Sequence, residues 1–274
     1  MYISPDQLRA MGKVQSLLDR LQPEAAPEAV CVAATIAPRG NVIVFPGSFN
    51  PPTNAHLALL KQGRLYAKSH ADMRVYCAFS KHTVDKETVE RPLLLDRIIL
   101  MQKVLRRRLP DTGILLFNRG LYVEQAEALR NSFPHVHRIL FLIGFDKIVQ
   151  IFDPRYYADR DASLEELFNQ AELLVVPRGS GGYAELQALL HRPENERFAR
   201  YVQIQSFAQV FRAVSATRVR EGGLKYEHDT PCEVRHFMHS THAYTPPIKL
   251  SNGREVDYYG ERVAYLQSRL GHVL

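Results

Sequence analysis

Short apolar runs alternate with longer amphipathic stretches along most of the chain. The runs are VIVF (42–45), MRVYCAF (73–79), GILLF (113–117), RILFLIG (138–144), ELLVVP (172–177) and YVQIQSF (201–207), and each predicts a strand. Between them, HLALLKQGRLYAK (56–68) and RPLLLDRIILMQKVLRRR (91–108) repeat apolar residues at helical spacing. In the second stretch Leu94, Ile98, Met101 and Leu105 form one stripe, and Pro92 falls in the first turn, where a helix tolerates it. The alternation argues for an α/β fold, a parallel sheet with helices on both faces.

The two ends depart from this rhythm. Residues 6–21 predict an extra helix, QPEAAPEA (22–29) a linker, and AVCVAATI (29–36) an added strand. After residue 206 the pattern turns helical. TPPIKLSNGREV (245–256) reads as a loop before a last helix over about 257–270. The expected organisation is an N-terminal extension over 1–39, a main domain over 40–244 and a C-terminal extension over 245–274.

At 274 residues the chain can bury a full core without a disulfide or structural metal. Cys31, Cys77 and Cys232 are odd in number and far apart, which argues against a disulfide framework or thiolate zinc site and fits a reducing cytoplasm. No apolar signal core opens the chain and no window is long enough to span a bilayer, so a soluble, cytoplasmic protein with no membrane partner is expected. The net charge of +6 suits anionic ligands. The basic residues are scattered and nucleic-acid-binding signatures are missing, which favours phosphorylated small molecules over nucleic acid. Arg106, Arg107 and Arg108 complement the dipole of the helix they end and are expected in solvent. The oligomeric state is left open, a homo-oligomer included.

The chemistry concentrates where the first long strand ends, in GSFNPPTNAH (47–56). In an open parallel sheet, ligands bind beyond the carboxyl ends of the strands, where the first strand-to-helix turn presents backbone N–H groups. Gly47, Ser48 and Phe49 stand in that turn. Pro51 and Pro52 stiffen it, and Thr53 and His56 sit three apart at the helix entrance. Thr-x-x-His alone is equally the pattern of a capped helix start.

GSFNPPTNAH resembles the (H/T)xGH signature of the nucleotidylyltransferase superfamily, and its GSFNP opening is most similar to nicotinamide and nicotinate mononucleotide adenylyltransferases. Thr53 takes the first signature position, and Ala55 stands where glycine is usual. VSATRVR (214–220) resembles the second signature, ISSTxIR, at Ser215, Thr217 and Arg220. FLIGFDKI (141–148) resembles the strand-end GxD segment, with Gly144 and Asp146 in its key positions. FSKH (79–82) matches the place of a phosphate-contacting lysine, here Lys81. ELLVVPRG (172–179) resembles the strand and loop beside the adenine, and TPCEVRHFMHSTHAY (230–244) the helix closing the family domain.

The resemblance covers residues 40–244 and implies a Rossmann-like doubly wound sheet. It also implies adenylyl transfer from ATP to a phosphorylated acceptor, most simply a pyridine mononucleotide, with release of pyrophosphate in NAD biosynthesis. Under it, His56 serves the α-phosphate, and Thr53 with the backbone of Gly47, Ser48 and Phe49 orients phosphate. Lys81 touches both reacting phosphates. Ser215, Thr217 and Arg220 hold the β and γ phosphates, and Asp146 binds ribose. Mg2+ arrives with ATP, and no all-protein metal site is expected.

The acceptor side departs from the family pattern. LYVEQAEAL (121–129) replaces a YTxDTL-like segment, leaving Tyr122, Glu124 and Gln125 at the family's Thr, Asp and Thr. With no tryptophan in the chain, Tyr156 or Tyr157 is the candidate to stack on a pyridine ring. Glu124 in such a pocket would favour a nicotinamide amide over a nicotinate carboxylate. The alternatives are a transferase for another phosphorylated acceptor and a non-catalytic nucleotide sensor.

Overall fold

Alternate residues of the buried strands serve opposite faces of one sheet, as the pleat requires. Val42 and Val44 join one hydrophobic cluster and Ile43 and Phe45 the other; Tyr76 and Ala78 likewise part from Val75, Cys77 and Phe79. The computed structural model describes residues 3–32, 36–70, 73–81, 91–177, 182–205 and 214–273. In chain order the elements begin with α1 (Pro5–Arg20), β1 (Ala29–Cys31), β2 (Gly40–Pro46), α2 (Asn54–Ser69), β3 (Met73–Ser80), α3 (Leu94–Arg108) and β4 (Thr112–Phe117). They continue with α4 (Tyr122–Ser132), β5 (Val136–Gly144), α5 (Phe145–Phe152), α6 (Arg160–Gln170), β6 (Glu172–Val176), α7 (Gly182–Leu190) and β7 (Val202–Ile204). The last are α8 (Ala216–Gly222), α9 (Cys232–Thr241), β8 (Ile248–Lys249), β9 (Glu255–Val256) and α10 (Tyr258–Leu270).

The sheet order is β1-β4-β3-β2-β5-β6-β7, with every pair parallel except the antiparallel β1–β4 edge. From β2 onward this is the 3-2-1-4-5-6 order of a Rossmann-like doubly wound sheet, which reverses direction between β2 and β5. Helices α1, α2, α3, α9 and α10 cover one face, and α4, α5, α6 and α7 the other. The stripe of Leu94, Ile98, Met101 and Leu105 is buried.

Both ends are bound into this body. Residues 22–28 are pinned by the buried Asn118, which accepts from Glu28 N–H at 2.8 Å and donates to Gln22 O and Ala26 O, both at 2.9 Å. They are therefore not a free linker. Within the predicted loop over 245–256, Ile248–Lys249 and Glu255–Val256 pair as a small antiparallel hairpin. The predicted strand over 29–36 is shorter, Ala29–Cys31; residues 33–35, like 206 and 207 of the predicted 201–207 strand, lie outside the described residues. Among the described residues no helix is long and apolar enough to cross a membrane.

The three arginines ending α3 are exposed as expected, and two of them also pair with Glu233. Arg108 Nε donates to Glu233 Oε2 at 2.9 Å and Arg107 stands 3.6 Å from Oε1, which ties α3 to α9. Burial opposes the Glu233 charge, but its own backbone N–H and Arg108 outweigh that and hold its pKa below the usual 4.5. A depressed carboxylate stabilises fully above its unfolded pKa and loses that contribution as pH falls through the folded value. Glu233→Gln should therefore cost about 1–3 kcal/mol at pH 7. The deficit against wild type should shrink below pH ~4.5, read by urea unfolding across pH.

Candidate active site

A cavity of ≈ 270 Å3 opens at the C-terminal ends of β2, β3 and β5, where the sheet order reverses. Gly47 and Ser48 line it beside β2, Ser80 beside β3, and Gly144 and Asp146 beside β5.

The GSFNPPT turn is shaped by an aromatic side chain folded beneath it. Gly47 N–H donates to Ala78 O at 2.9 Å and extends the β2–β3 ladder by one rung. Phe49 then adopts a φ of 42°, a conformation uncommon for a residue with a side chain. Its ring is fully buried and meets Phe45, Phe79 and His56 edge-on at centroid distances of 5.4, 5.0 and 5.1 Å. A methyl group on Gly47 would stand 3.0 Å from Cζ of that ring, so any side chain here obliges the buried ring to give by a few tenths of an ångström. Phe49 therefore supports the cavity from below and does not line it.

Thr53 and His56 form a reciprocal cap at the start of α2. His56 N–H donates to Thr53 Oγ1 at 3.4 Å, and Thr53 N–H donates to His56 Nδ1 at 3.0 Å. A ring nitrogen that accepts from a backbone N–H carries no proton, so the neutral imidazole keeps its proton on Nε2. His56 lines the cavity, whereas Thr53 is 1 % exposed and acts only through the imidazole.

Among the described residues two cations line the cavity, Lys147 of α5, whose Nζ donates to Gln150 Oε1 at 2.7 Å, and Arg97 from the first turn of α3. The second is held against the GSFNPP turn. Its Nη1 donates to Ser48 O at 3.1 Å. Its Nε is buried without a hydrogen-bond partner among the described residues, as is the hydroxyl of Tyr244. Burial lowers the Arg97 pKa; Tyr244 and Tyr259 oppose that shift, and the neighbouring Arg220 charge adds to it. Sequence reading passed over Arg97 because it sits inside LLLDRIILM, where a charged residue on an amphipathic helix ordinarily faces solvent.

Lys81, expected at the phosphates, is engaged elsewhere: Nζ donates to Leu18 O at 2.9 Å, at the carbonyl end of α1. Ser215 caps α8 by accepting from Arg218 N–H at 3.1 Å. Arg220 Nη2 donates to Thr217 Oγ1 at 3.3 Å, and Nη1 to Asn50 O at 3.0 Å. The second motif therefore docks on the GSFNPP turn through Arg220, beside the cavity and outside its lining.

On the other wall, Tyr122, Tyr156 and Tyr157 line the cavity as expected. Burial raises the Tyr122 pKa and pushes that of Tyr157 up to about 12, so both stay neutral. Glu124 does not line the cavity. It caps α4, accepting from Leu121 N–H at 3.1 Å, with Arg119 at 3.7 Å. Gln125, 2 % exposed, lines it instead, donating through Nε2 to Ser80 Oγ at 3.0 Å and Gly120 O at 3.1 Å. Because the Gly120 carbonyl only accepts, this end is the NH2, and Oε1 is left buried without a partner among the described residues. Among the described residues no three His, Cys, Asp or Glu side chains converge to hold a metal ion.

No protein-family model matches the chain, and no curated protein is similar to it in sequence. A solved structure described as "a Putative Nicotinate-nucleotide Adenylyltransferase from Vibrio parahaemolyticus" is 10% identical, with 73% of this chain and 99% of that chain covered and a TM-score of 0.33. At that level the likeness speaks to neither family nor activity.

The packing of Phe49 under Gly47 makes a definite demand. Gly47→Ala should destabilise the protein by about 1–3 kcal/mol through overpacking, measured as a lowered Cm in urea. A variant as stable as wild type would show that the ring moves aside freely.

Proposed function

We propose that the cavity binds ATP with a phosphorylated acceptor and joins the AMP moiety to the acceptor phosphate, releasing pyrophosphate. The observation that carries this reading is the gathering of His56, Arg97 and Asp146 around one cavity at the switch point of the sheet. The signature-like GSFNPPTNAH and VSATRVR segments meet beside it through the bond from Arg220 to Asn50.

An acceptor phosphate oxygen forms a bond to the α-phosphorus, and the bond from that phosphorus to the bridging oxygen of pyrophosphate breaks. Such a transfer asks the protein for positioning and charge neutralisation rather than covalent chemistry. His56, its tautomer fixed by Thr53, donates from Nε2 to an α-phosphate oxygen as charge builds there. Arg97 neutralises the phosphates from the cavity and takes the part first assigned to Lys81, while Arg220 serves the leaving pyrophosphate. The turn at Gly47 and Ser48 orients phosphate, and Asp146 accepts from ribose hydroxyls. Mg2+ enters as part of the MgATP substrate and screens the triphosphate charge.

The acceptor is a pyridine mononucleotide, its ring against Tyr122, Tyr156 or Tyr157. On this reading Gln125 turns on binding so that Oε1, buried and unpartnered among the described residues of the unliganded protein, accepts from a carboxamide N–H, a bond that a nicotinate carboxylate cannot make.

His56→Ala should lower kcat about a hundredfold or more while ATP affinity stays within several-fold, by steady-state kinetics and calorimetry. Near wild-type turnover would remove His56 from the chemistry. With both mononucleotides assayed side by side, the amide should be preferred. Glu124→Gln should leave that preference intact and Gln125→Leu should erase it. Activity with neither mononucleotide refutes the pyridine acceptor.

A further inference from the structure

The helix that delivers Arg97 has no cap of its own. Leu93 occupies the N-cap position of α3 and offers no side-chain acceptor. The cap comes from α10, more than 160 residues later in the chain. Tyr259 Oη accepts from Leu93 N–H at 2.7 Å and donates its own proton to Asp96 Oδ2 at 2.8 Å. Arg262 closes the carboxylate from the same helix, Nε to Oδ2 at 3.0 Å and Nη2 to Oδ1 at 2.6 Å. Asp257, which caps α10 itself, pairs with Arg91 just before α3. Asp96 is 1 % exposed and Tyr259 0 %, so the cluster is dry.

Arg97 is the next residue after Asp96. Its guanidinium is therefore aimed by a turn whose first amide and third side chain are both held from α10. The residue lines the cavity, and its Nη1 is held by Ser48 O at the turn that edges it. On the adenylyl-transfer reading above, we propose that Tyr259, Asp96 and Arg262 are positioning residues that act through Arg97 on the triphosphate of ATP. The C-terminal helix is on this account part of the nucleotide site. An uncapped first turn frays, and a guanidinium displaced by about an ångström loses most of its hold on a phosphate.

The test compares Tyr259→Phe, which removes one oxygen and keeps the ring, with Arg97→Met and the double variant. ATP and inorganic tripolyphosphate are titrated calorimetrically into each folded protein. Tyr259→Phe should weaken both ligands about tenfold, and the double variant should bind no worse than Arg97→Met alone, since the hydroxyl acts only through Arg97. Amide exchange should quicken at residues 93–95 and stay unchanged in the last two turns of α3. Arg262→Lys serves as a second probe of the cluster, with the same non-additivity expected against Arg97→Met.

Wild-type affinity in Tyr259→Phe, even with a lowered Tm, would overturn the proposal and leave a purely structural cap, as would additive losses in the double variant. If wild type binds tripolyphosphate and the coupling holds but no AMP is transferred to any acceptor, adenylyl transfer fails while the positioning role stands. If wild type transfers AMP but the variants show no coupling, the reverse holds. A wild type that binds neither ATP nor tripolyphosphate overturns both.

Discussion

Where β2 and β5 lie side by side, the chain leaving β2 turns into α2 on one face of the sheet and the chain leaving β5 turns into α5 on the other. No connection crosses the gap between them, and the gap is the cavity. Two of the groups with candidate chemistry reach it from the elements that diverge there, His56 from α2 and Asp146 from α5, and Arg97 joins them from α3. The crevice follows from topology alone; its chemistry is added by a few side chains with little freedom to move.

Two of those side chains are anchored through one atom. Thr53 occupies Nδ1 of His56, which fixes the proton on the other nitrogen. Ser48 takes one guanidinium nitrogen of Arg97. A group anchored through one atom presents another in a set direction, and orientation settled before a ligand arrives is an entropy cost already met.

The sheet was legible in the sequence because buried strands are short, apolar and bounded by turns, and part of the cavity lining was legible where motif and topology coincide, at Gly47, Ser48, His56 and Asp146. The failures share a physical cause, which is that several roles compete for one residue type. Glu124 stands three residues after Leu121, and a carboxylate there is drawn to the open N–H groups of a helix start, so the cavity falls to Gln125. Lys81 had the carbonyl end of α1 within reach, a partner that belongs to an extension outside the family resemblance. Nothing local marks Asp96 or Arg97 within the α3 stretch, because the side chains that bond Asp96 lie at 259 and 262. Contacts of that sequence separation leave no trace in local periodicity.

The short β1 strand bears on how the protein behaves in a crowd. β4 is buried along all six of its residues and would otherwise end the sheet with an open row of amides and carbonyls. β1 runs antiparallel along it, with Val32 N–H adding a bond to Ile114 O and Asn118 tacking the preceding segment in place. An apolar edge of that kind is a template for strand addition by a neighbouring molecule. By covering β4 with a strand of only three residues, the chain leaves at that end of the sheet a short edge, which offers a neighbouring strand fewer groups to pair with.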